Sequence, residues 1–432
     1  MRTMVAGWFV MLPGAAAACG GATEPTLPAA VIVTPASDTL LPGAERQLSA
    51  RIVSDAGDTT DAAGVVWSSS NPDIAWVSPD GKVTGVRLGT VTITALVSDA
   101  QGRAEVRVQR PFSASAVVVG PQTVCALDLS GGAWCFGNND TGQLGIGNAG
   151  IPQASLTQPV AGGHQFTTIG AGTGFACALD VAGKAWCWGS SGGLGQAGGS
   201  SSLPVLADTV RTYQALAVGE QTCGLTAGET WCWGGFSSIG RVRKLFVNQQ
   251  VFDSIFVGYS GSCGLTANGV ATCWHDDQGD YDFYLDSSGP LAQVTLGSAF
   301  RCVRFASGTG ACEGSNASGQ LGDGSTNDAG TPVSLPGSWK MLVAGDNSAC
   351  GLSPDGTAYC WGGNESGQLG SGDSTASLSP RPVSTTRRFR TISTAAGGDY
   401  PPVIHRTCGV TTTDELYCWG AGLPAVPAPV GY

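Results

Sequence analysis

Apolar and polar residues alternate in short runs along the first part of the chain, which is the pattern of β-strands with one buried face. The runs lie at residues 31–33, 47–53, 64–67, 82–86, 90–95 and 105–108. Turn residues such as Pro79-Asp80-Gly81 lie between them. About seven short strands within residues 28–110 predict a small two-sheet sandwich. Because the segment has no cysteine, we expect Trp67 and the β-branched residues to form its core.

From residue 111 onward the chain becomes a repeat. Residues 125–147 read CALDLSGGAWCFGNNDTGQLGIG, residues 177–195 read CALDVAGKAWCWGSSGGLG, and residues 350–370 read CGLSPDGTAYCWGGNESGQLG. Each copy contains two strand-like runs joined by a turn with glycine. Successive first cysteines are 52, 46, 40, 39, 48 and 58 residues apart, close to the period of propeller blades. The repeat therefore predicts a seven-bladed β-propeller.

Fourteen of the fifteen cysteines form pairs around these turns. The pairs are Cys125–Cys135, Cys177–Cys187, Cys223–Cys232, Cys263–Cys273, Cys302–Cys312, Cys350–Cys360 and Cys408–Cys418. Directly opposed residues of an antiparallel hairpin have Cα atoms about 4.5 Å apart at a non-hydrogen-bonded position, close to the lower limit for a disulfide. We interpret each pair as a disulfide that adds roughly 3 kcal/mol to stability. The alternatives are reduced, buried cysteines and metal ligation. Zinc is disfavoured because the cysteine spacing is not that of a zinc ligand pair and because the chain has only three histidines, His164, His275 and His405.

The first region resembles the bacterial immunoglobulin-like domain of group 2. The resemblance rests on VVWSSSNPDIAWVSPDGKVTGVRLGTVTITA at residues 65–95 and covers most of residues 28–108. The motifs Trp-Ser-Ser-x-Asn-Pro, Asp-Gly-Lys-Val and Gly-Thr-x-x-Ile-Thr-Ala follow one another in that order. The resemblance implies an immunoglobulin-like sandwich over residues 28–110 that serves as a stalk or an adhesion module. We interpret it as a spacer without a ligand of its own.

The repeats resemble the regulator of chromosome condensation repeat, whose Cys-Trp-Gly is followed by Asn-x-x-Gly-Gln-Leu-Gly. Gly-Gln-Leu-Gly is complete at residues 142–145, 319–322 and 367–370, close at 192–195 and weaker at 237–240. The resemblance covers nearly all of residues 112–430 and implies a propeller over residues 111–432. The fold class is therefore all-β, a small immunoglobulin-like β-sandwich followed by a seven-bladed β-propeller.

Tryptophans that follow the second cysteine are expected to fill the space between blades, and stacking on carbohydrate is the alternative. They are Trp188, Trp233, Trp274, Trp361 and Trp419. Each later blade is predicted to start with a Pro-Val-like strand. These lie at residues 159–160, 204–205, 242–247, 290–291, 332–333 and 382–383. A further one, Pro429-Val430, is expected to complete the first blade and to close the ring.

The composition and charge of the chain limit the kinds of molecule that the protein is expected to bind. Charged residues make up 12% of the chain, 66 glycines and 23 prolines fit many tight turns, and the net charge is −11. Neither region has a basic stripe, and the basic cluster Arg387-Arg388-x-Arg390 stands alone. We therefore expect no nucleic-acid partner.

Residues 1–19 have the layout of a secretory signal, with Arg2, an apolar run at 5–12 and small residues before Cys19. Ala16-Ala17-Ala18-Cys19 resembles the lipobox of bacterial lipoproteins, with alanine in place of the usual leucine. The resemblance implies acylation of Cys19, with residues 20–27 as a tether. Ordinary cleavage after Ala18 and an inert leader cysteine are the alternatives. We expect an exported protein, either a cell-envelope lipoprotein that meets the membrane only through this lipid or an extracellular protein.

The fourth blade departs most from the repeat. After Cys273-Trp274 the chain reads HDDQGDYDFYLD. This candidate partner loop contains Asp276, Asp277, Asp280, Tyr281, Asp282 and Tyr284. A solvated variable loop and a calcium loop are the alternatives, although the ligand spacing of a calcium motif is lacking. In the fifth blade Glu313 replaces the aromatic residue after the second cysteine.

The sequence contains no catalytic constellation: no phosphate-binding loop, no nucleophile elbow, no Cys-x-x-Cys and no metal-binding histidine pair. We predict a monomeric, non-enzymatic binding or scaffold protein, without a metal or other cofactor, that presents propeller loops to a protein or glycan partner. The alternative functions are a secreted propeller of the kind that inhibits β-lactamase with its loops, a polysaccharide-active enzyme, and the guanine-nucleotide exchange and chromatin binding of eukaryotic members. The acidic balance and the signal segment disfavour this last role.

Overall fold

The computed structural model describes residues 30–54, 57–153, 155–195, 199–234, 242–245, 250–259, 261–274, 283–284, 289–397 and 404–431. The chain divides between Gln109 and Arg110 into two compact units. Apart from a short 3₁₀ helix at Ser191–Gly193, the regular structure in these residues is β-strand, which confirms the all-β prediction. No helix that could cross a membrane occurs in these ranges. The leader, Cys19, the tether and residues 276–282 lie outside the described residues.

The first unit is a sandwich of short strands. They are β1 (Ala30–Thr34), β2 (Ser37–Leu40), β3 (Glu45–Gln47), β4 (Ser49–Val53), β5 (Thr59–Asp61), β6 (Val66–Ser69), β7 (Ala75–Val77), β8 (Lys82–Gly85), β9 (Gly89–Val97) and β10 (Ala100–Val108). The sheet orders are β1-β4-β5, β2-β10-β9-β6 and β3-β8-β7. Alternate residues Val91, Ile93 and Ala95 of β9 are 2% exposed or less. Half-buried Trp67 packs against this aliphatic core, as predicted.

The second unit is a seven-bladed β-propeller, as predicted. Blade 1 contains β11 (Ala114–Val119), β12 (Thr123–Asp128) and β13 (Ala133–Gly137); blade 2, β14 (Phe166–Ala171), β15 (Phe175–Asp180), β16 (Ala185–Gly189) and β17 (Ser201–Leu206); blade 3, β18 (Ala215–Val218), β19 (Gln221–Leu225), β20 (Thr230–Gly234) and β21 (Arg243–Leu245); blade 4, β22 (Ser254–Val257), β23 (Ser262–Leu265), β24 (Ala271–Trp274) and β25 (Phe283–Tyr284). Blade 5 contains β26 (Leu291–Leu296), β27 (Phe300–Phe305), β28 (Gly310–Gly314) and β29 (Ala329–Leu335); blade 6, β30 (Met341–Ala344), β31 (Ser348–Leu352), β32 (Ala358–Gly362) and β33 (Ser377–Pro382); blade 7, β34 (Phe389–Thr394), β35 (Arg406–Thr411), β36 (Leu416–Gly420) and β37 (Ala428–Pro429). In each blade the strands pair in chain order, so the second and third strands form the cysteine hairpin.

Glycine after the first strand lets neighbouring blades converge near the axis. A Cβ atom added at Gly172 would lie 2.2 Å from the carbonyl oxygen of Gly219 in the next blade. One added at Gly297 would lie 2.4 Å from that of Gly345. Because any side chain would clash at such distances, these positions need glycine.

The expectation that a Pro-Val-like strand begins each later blade is wrong for the strands that contain Pro204, Pro332 and Pro382, whereas residues 290–291 do lead into β26, the first strand of blade 5. The strand with Pro204 is β17, the fourth strand of blade 2, and the strand with Pro332 is β29, the fourth strand of blade 5. Residues 428–429 form β37, which completes blade 7 and not blade 1. Proline lacks an N–H and is tolerated best at the edge of a sheet, and because the first and the fourth strand of a blade are both edges, proline alone does not distinguish them.

The ring closes at blade 7 through the segment that enters the propeller. The N–H of Phe112 donates to the carbonyl of Val430 at 2.7 Å, and the N–H of Leu416 donates to the carbonyl of Phe112 at 2.9 Å. Arg390 of blade 7 adds hydrogen bonds to the carbonyls of Ala114 and Ser115 in blade 1 at 2.5 and 2.7 Å. The entering segment therefore joins the two ends of the propeller.

Candidate functional site

The blade boundaries repeat one contact, in which the disulfide of one blade packs against an aromatic ring of the next. At the first boundary, Cys125 and Cys135 share a buried cluster with Trp188. The other rings that pack in this way are Phe136, Trp233, Trp274, Trp361 and Trp419. Side chains alternate along a strand, so a cysteine and the ring after it point to opposite faces of a blade. The tryptophans therefore fill the space between blades, as predicted.

A disulfide joins each of the seven cysteine pairs in the described propeller. Their Cα atoms lie 4.0–4.1 Å apart. The two cysteines stand directly opposite each other in the strand register, as Cys125 and Cys135 do. Each of these cysteines is 4% exposed or less, so the bonds lie inside the layers between blades.

The glycine-rich segment of one blade holds the tryptophan of the next. The indole nitrogen of Trp188 donates to the carbonyl oxygen of Gln143 at 2.9 Å. The same bond, also at 2.9 Å, joins Trp361 to Gln320 and Trp419 to Gln368. These glutamines belong to the three complete Gly-Gln-Leu-Gly motifs. The motif thus supplies an acceptor for the polar atom of a fully buried ring.

A buried asparagine, the first residue of the Asn-x-x-Gly-Gln-Leu-Gly motif, shapes each of these segments, a role that the sequence did not predict. Asn139, Asn316 and Asn364 are 1% exposed or less. The side-chain oxygen of each accepts from the N–H of the leucine in its motif at 2.9–3.1 Å. The signal in the sequence was the recurrence of asparagine three positions before the first glycine.

The boundary between blades 4 and 5 lacks this contact. Blade 5 has Glu313 in place of the ring, and blade 4 has no Gly-Gln-Leu-Gly after Trp274. A cavity of about 250 Å³ lies at this boundary. The Cys263–Cys273 disulfide borders it on one side and Glu313 on the other. The departure seen in the sequence therefore coincides with open space.

The position of a second aromatic ring is also changed in blade 5. In the other blades with a tryptophan, that ring contacts an aromatic ring of its own blade, with centroids 5.6–6.1 Å apart. The pairs are Phe166–Trp188, Tyr213–Trp233, Phe252–Trp274, Trp339–Trp361 and Phe389–Trp419. Blade 5 has Leu291 at the position that Phe166 occupies in blade 2. The N–H of Leu291 donates to the carbonyl of Gly269, just as the N–H of Phe166 donates to the carbonyl of Gly131. An aliphatic side chain and a carboxylate thus replace two rings.

Arg301 accompanies Glu313 directly across the hairpin. Its Nε donates to Oε1 of Glu313 at 2.6 Å, and the glutamate side chain is 9% exposed against 31% for the arginine. In the other blades the residue opposite the ring is smaller. These residues are Val124, Ala176, Thr222, Ser262, Ala349 and Thr407. A buried carboxylate needs a partner, which explains why the arginine stands here.

The central channel is a second candidate site, with a volume of about 430 Å³. Inner-strand residues such as Val118, Ile169 and Ile255 line it, and Glu220 is the carboxylate among its described lining residues. Burial raises the pKa of Glu220 above its ordinary value, and a hydrogen bond from Thr173 at 3.2 Å opposes this shift. The described lining of the channel therefore combines mainly aliphatic side chains with Glu220, a carboxyl group of reduced acidity.

The remaining candidate residues are only partly described. Residues 276–282 of the candidate partner loop lie outside the described residues. Tyr284 lies in β25, with its backbone opposite Thr272. Where the structure describes the chain, no group of three or more histidine, cysteine, aspartate or glutamate side chains is arranged to hold a metal ion.

Comparisons with known proteins agree with this architecture. Residues 29–108 match the bacterial Ig-like domain (group 2) family, and residues 355–401 match the regulator of chromosome condensation (RCC1) repeat. The structure of Prp20p from Saccharomyces cerevisiae is similar, with a TM-score of 0.57 and 16% identity, covering 72% of this chain and 82% of that one. Human WBSCR16 is similar too, with a TM-score of 0.58 and 17% identity, covering 77% and 96%. No curated protein matches the chain.

The fold and the blade boundaries define a disulfide-containing β-propeller preceded in the chain by an immunoglobulin-like sandwich. More particularly, residues 29–108 match the bacterial Ig-like domain of group 2, and residues 355–401, within the propeller, match the regulator of chromosome condensation repeat. Both predicted resemblances are thereby confirmed. At these identities the likeness to solved structures concerns the fold alone.

Proposed function

We propose that this protein is exported, is attached to the cell envelope by a lipid on Cys19, and binds or scaffolds a protein or glycan partner without catalysing a reaction. The observation that carries the proposal is the set of seven buried disulfides, one in each blade. Disulfides form and persist in oxidising compartments outside the cytoplasm. Blade boundaries built on them fit assembly after export.

The division of the chain supports the same role. Residues 1–19 would direct export and residues 20–27 would tether the protein through Cys19. The sandwich at residues 28–110 would act as a spacer, and the propeller at residues 111–432 would act as a monomeric binding disc. The bacterial family of the sandwich fits an envelope or extracellular location.

The central channel favours binding over the polysaccharide-active alternative. Most glycoside hydrolases use a pair of carboxyl groups beside the scissile bond. The described lining of the channel contains Glu220 as its carboxylate, and its other lining side chains are mainly aliphatic. This supports a role for the propeller as a recognition surface.

Protein binding has a precedent in this fold, and the acidic loop is the proposed contact. Prp20p, a propeller of similar fold, has binding properties to Gsp1p and histones, which is a precedent for protein binding by such a propeller. The loop with Asp276, Asp277, Asp280, Tyr281, Asp282 and Tyr284 combines charge with aromatic rings. Loops carried by a rigid scaffold are common binding surfaces.

The intact mass of the exported protein, measured with and without reductant, tests two parts of the proposal together: the oxidising compartment and the lipid anchor on Cys19. We expect a lipid on Cys19 and a gain of two hydrogens per disulfide on reduction. Cys19→Ser should abolish the lipid and release the protein from the envelope while leaving the disulfides in place. Unmodified Cys19 would contradict the anchor, and free thiols in native material would contradict the compartment.

Cross-linking on intact cells tests the proposed contact. The loop variant replaces Asp276, Asp277, Asp280 and Asp282 with asparagine. The matched control neutralises four exposed aspartates of the sandwich, namely Asp58, Asp61, Asp73 and Asp99. We expect the loop variant to lose a partner that the wild type and the control retain. Equal capture by all three proteins would contradict a role for the loop.

A further inference from the structure

The cavity between blades 4 and 5 lies where the other blade boundaries of the described propeller hold an aromatic ring. Glu313 stands at the sequence position of that ring, and Leu291 stands at the position of the second ring. Each intact boundary is a site where one blade already binds an aromatic side chain of its neighbour. The cavity is therefore a ring-binding site whose own ring is missing.

The lining of the cavity keeps the features of a ring-binding site and adds an acceptor. The Cys263–Cys273 disulfide, Leu296 and Phe300 line it together with Arg301 and Glu313. At the intact boundaries, the disulfide is the surface on which the ring packs. Oε1 of Glu313 accepts from Arg301, and no donor among the described residues reaches Oε2. One carboxylate oxygen therefore remains as a hydrogen-bond acceptor for a guest.

The cavity is reachable from solvent and small. Gly330 lines it, and a Cβ atom added there would meet no atom of the described residues within 4 Å. The Arg301 side chain is 31% exposed. A volume of about 250 Å³ is below the roughly 300 Å³ at which small-molecule sites begin. The space therefore suits a single side chain better than a whole ligand.

We propose that this cavity binds a tryptophan side chain presented by a protein partner. The ring would pack on the disulfide and Phe300, and its N–H would donate to Glu313, as the N–H of Trp361 donates to the carbonyl of Gln320. Tryptophan is among the commonest anchors of protein interfaces because it buries a large area and carries one donor. The proposal rests on the proposed binding function and names the chemistry of the partner's anchor.

N-acetyltryptophanamide is the probe, with N-acetylleucinamide and N-acetylglycinamide as controls, in ligand-detected NMR titrations of the full exported protein. The leucine compound has no ring and no side-chain donor, and the glycine compound measures the backbone contribution. We expect the tryptophan compound to bind at least tenfold more tightly than the leucine compound. Equal affinity for the two, or no binding of the tryptophan compound, would overturn the proposal.

Two variants and one control locate the binding. The double substitution Arg301→Ala with Glu313→Trp restores the small-residue and ring pair of the intact blades, so the chain's own indole fills the cavity. We expect it to weaken probe binding at least tenfold while its thermal midpoint stays at or above that of the wild type. Glu313→Gln keeps the shape and should weaken binding several-fold, because the charge-assisted bond is lost. Arg381→Ala, which breaks an exposed ion pair in blade 6, should leave binding unchanged.

Three further results separate the possible explanations. Unchanged probe binding by a well-folded double variant would overturn the proposal. Binding that appears only after Tyr281 and Tyr284 are replaced by alanine would overturn it too, because the chain's own residues would then fill the cavity. Binding of the probe together with unaltered partner capture by the acidic-loop variant would support the cavity and contradict the loop, so the two proposals fail separately.

Discussion

The sandwich buries one face of strands such as β10, whereas middle strands of the propeller such as β31 are buried on both faces, and the two units fill these interiors with different side chains. Val83, Ile93 and Ala95 of the sandwich are fully buried, and that core is aliphatic. Cys350 and Trp361 occupy the corresponding interior of the propeller, also fully buried. The sandwich has paired strands of nine residues, whereas the described propeller strands have seven or fewer.

The difference follows from how contacts are distributed in each unit. A blade touches only its two neighbours, so the propeller is held by a series of small interfaces, as in other repeat proteins. In the described propeller, six of the seven interfaces combine a large ring with a cross-link that reduces the freedom of the unfolded hairpin, and the boundary between blades 4 and 5 has the cross-link without the ring. The sandwich folds its sheets onto one shared core, where aliphatic side chains bury enough surface.

Removing a ring from an intact blade boundary should have the largest effect. Trp361→Ala deletes a fully buried indole and its bond to Gln320, and such truncations lower the free energy of unfolding by about 3–5 kcal/mol. The matched control is Trp76→Ala in the sandwich, where the ring is 43% exposed and the expected loss is below about 1 kcal/mol. Urea unfolding measures both. Similar losses would show that the ring does not hold the boundary.

Removing one disulfide should have the next largest effect. The double substitution Cys350→Ala with Cys360→Ala opens a loop whose closure contributes about 3 kcal/mol in the chain-entropy account. We expect a loss of that size in urea unfolding under oxidising conditions. Reductant, which opens all of the disulfides, should destabilise the wild-type propeller more than the double substitution does. It should leave amide hydrogen exchange in β9 unchanged, because the described sandwich contains no cysteine. Faster exchange in β9 would contradict the distinction between the two cores.

A smaller loss is expected from thinning the aliphatic core. Ile93→Val removes one methylene from a fully buried side chain of β9, a change that costs about 0.5–1.5 kcal/mol. Amide hydrogen exchange of β9 and β10 should quicken in proportion to this loss. Exchange at the wild-type rate would mean that Ile93 is not part of the core that holds this hairpin.

Local patterns in the sequence were enough to predict much of this fold. Cysteines ten residues apart around a glycine turn, such as Cys125 and Cys135, indicate a hairpin because both partners lie within one short segment. The Gly-Gln-Leu-Gly motif and the sandwich signature at residues 65–95 are local as well. Predictions of this kind need no knowledge of which distant segments meet.

The errors and omissions concern partners that are distant in the sequence or opposite in the sheet. Pro204 sits between two hairpins, and only the paired structure shows that its strand belongs to the preceding one. Glu313 was recognised as a departure from the repeat, but the accompanying change at Arg301 was not, because it lies across the hairpin. The cavity follows from several departures at one boundary, which no single motif reveals.

The smallest expected effect is on the pH dependence of stability, and it compares a carboxyl group of the propeller with one of the sandwich. Burial raises the pKa of Glu220 in the propeller, against a hydrogen bond from Thr173. The native state then holds the proton more tightly than the unfolded chain, so stability falls as the pH rises from about 4.3, the usual glutamate value, through the native pKa. Glu220→Gln should therefore be more stable than the wild type at pH 7. The gain should vanish below about pH 4.

Asp80 of the sandwich should show the opposite sign. A hydrogen bond from Ser78 lowers the pKa of this exposed carboxyl, so its contribution is present above the usual aspartate value of about 3.9 and is lost as the pH falls through the native pKa. Asp80→Asn should be less stable than the wild type at neutral pH, and the two should converge in acid. Urea unfolding between pH 3 and 8 measures both variants. If both substitutions stabilise at pH 7, relief of the net charge of −11 outweighs the local environments, and the contrast between the two carboxyl groups fails.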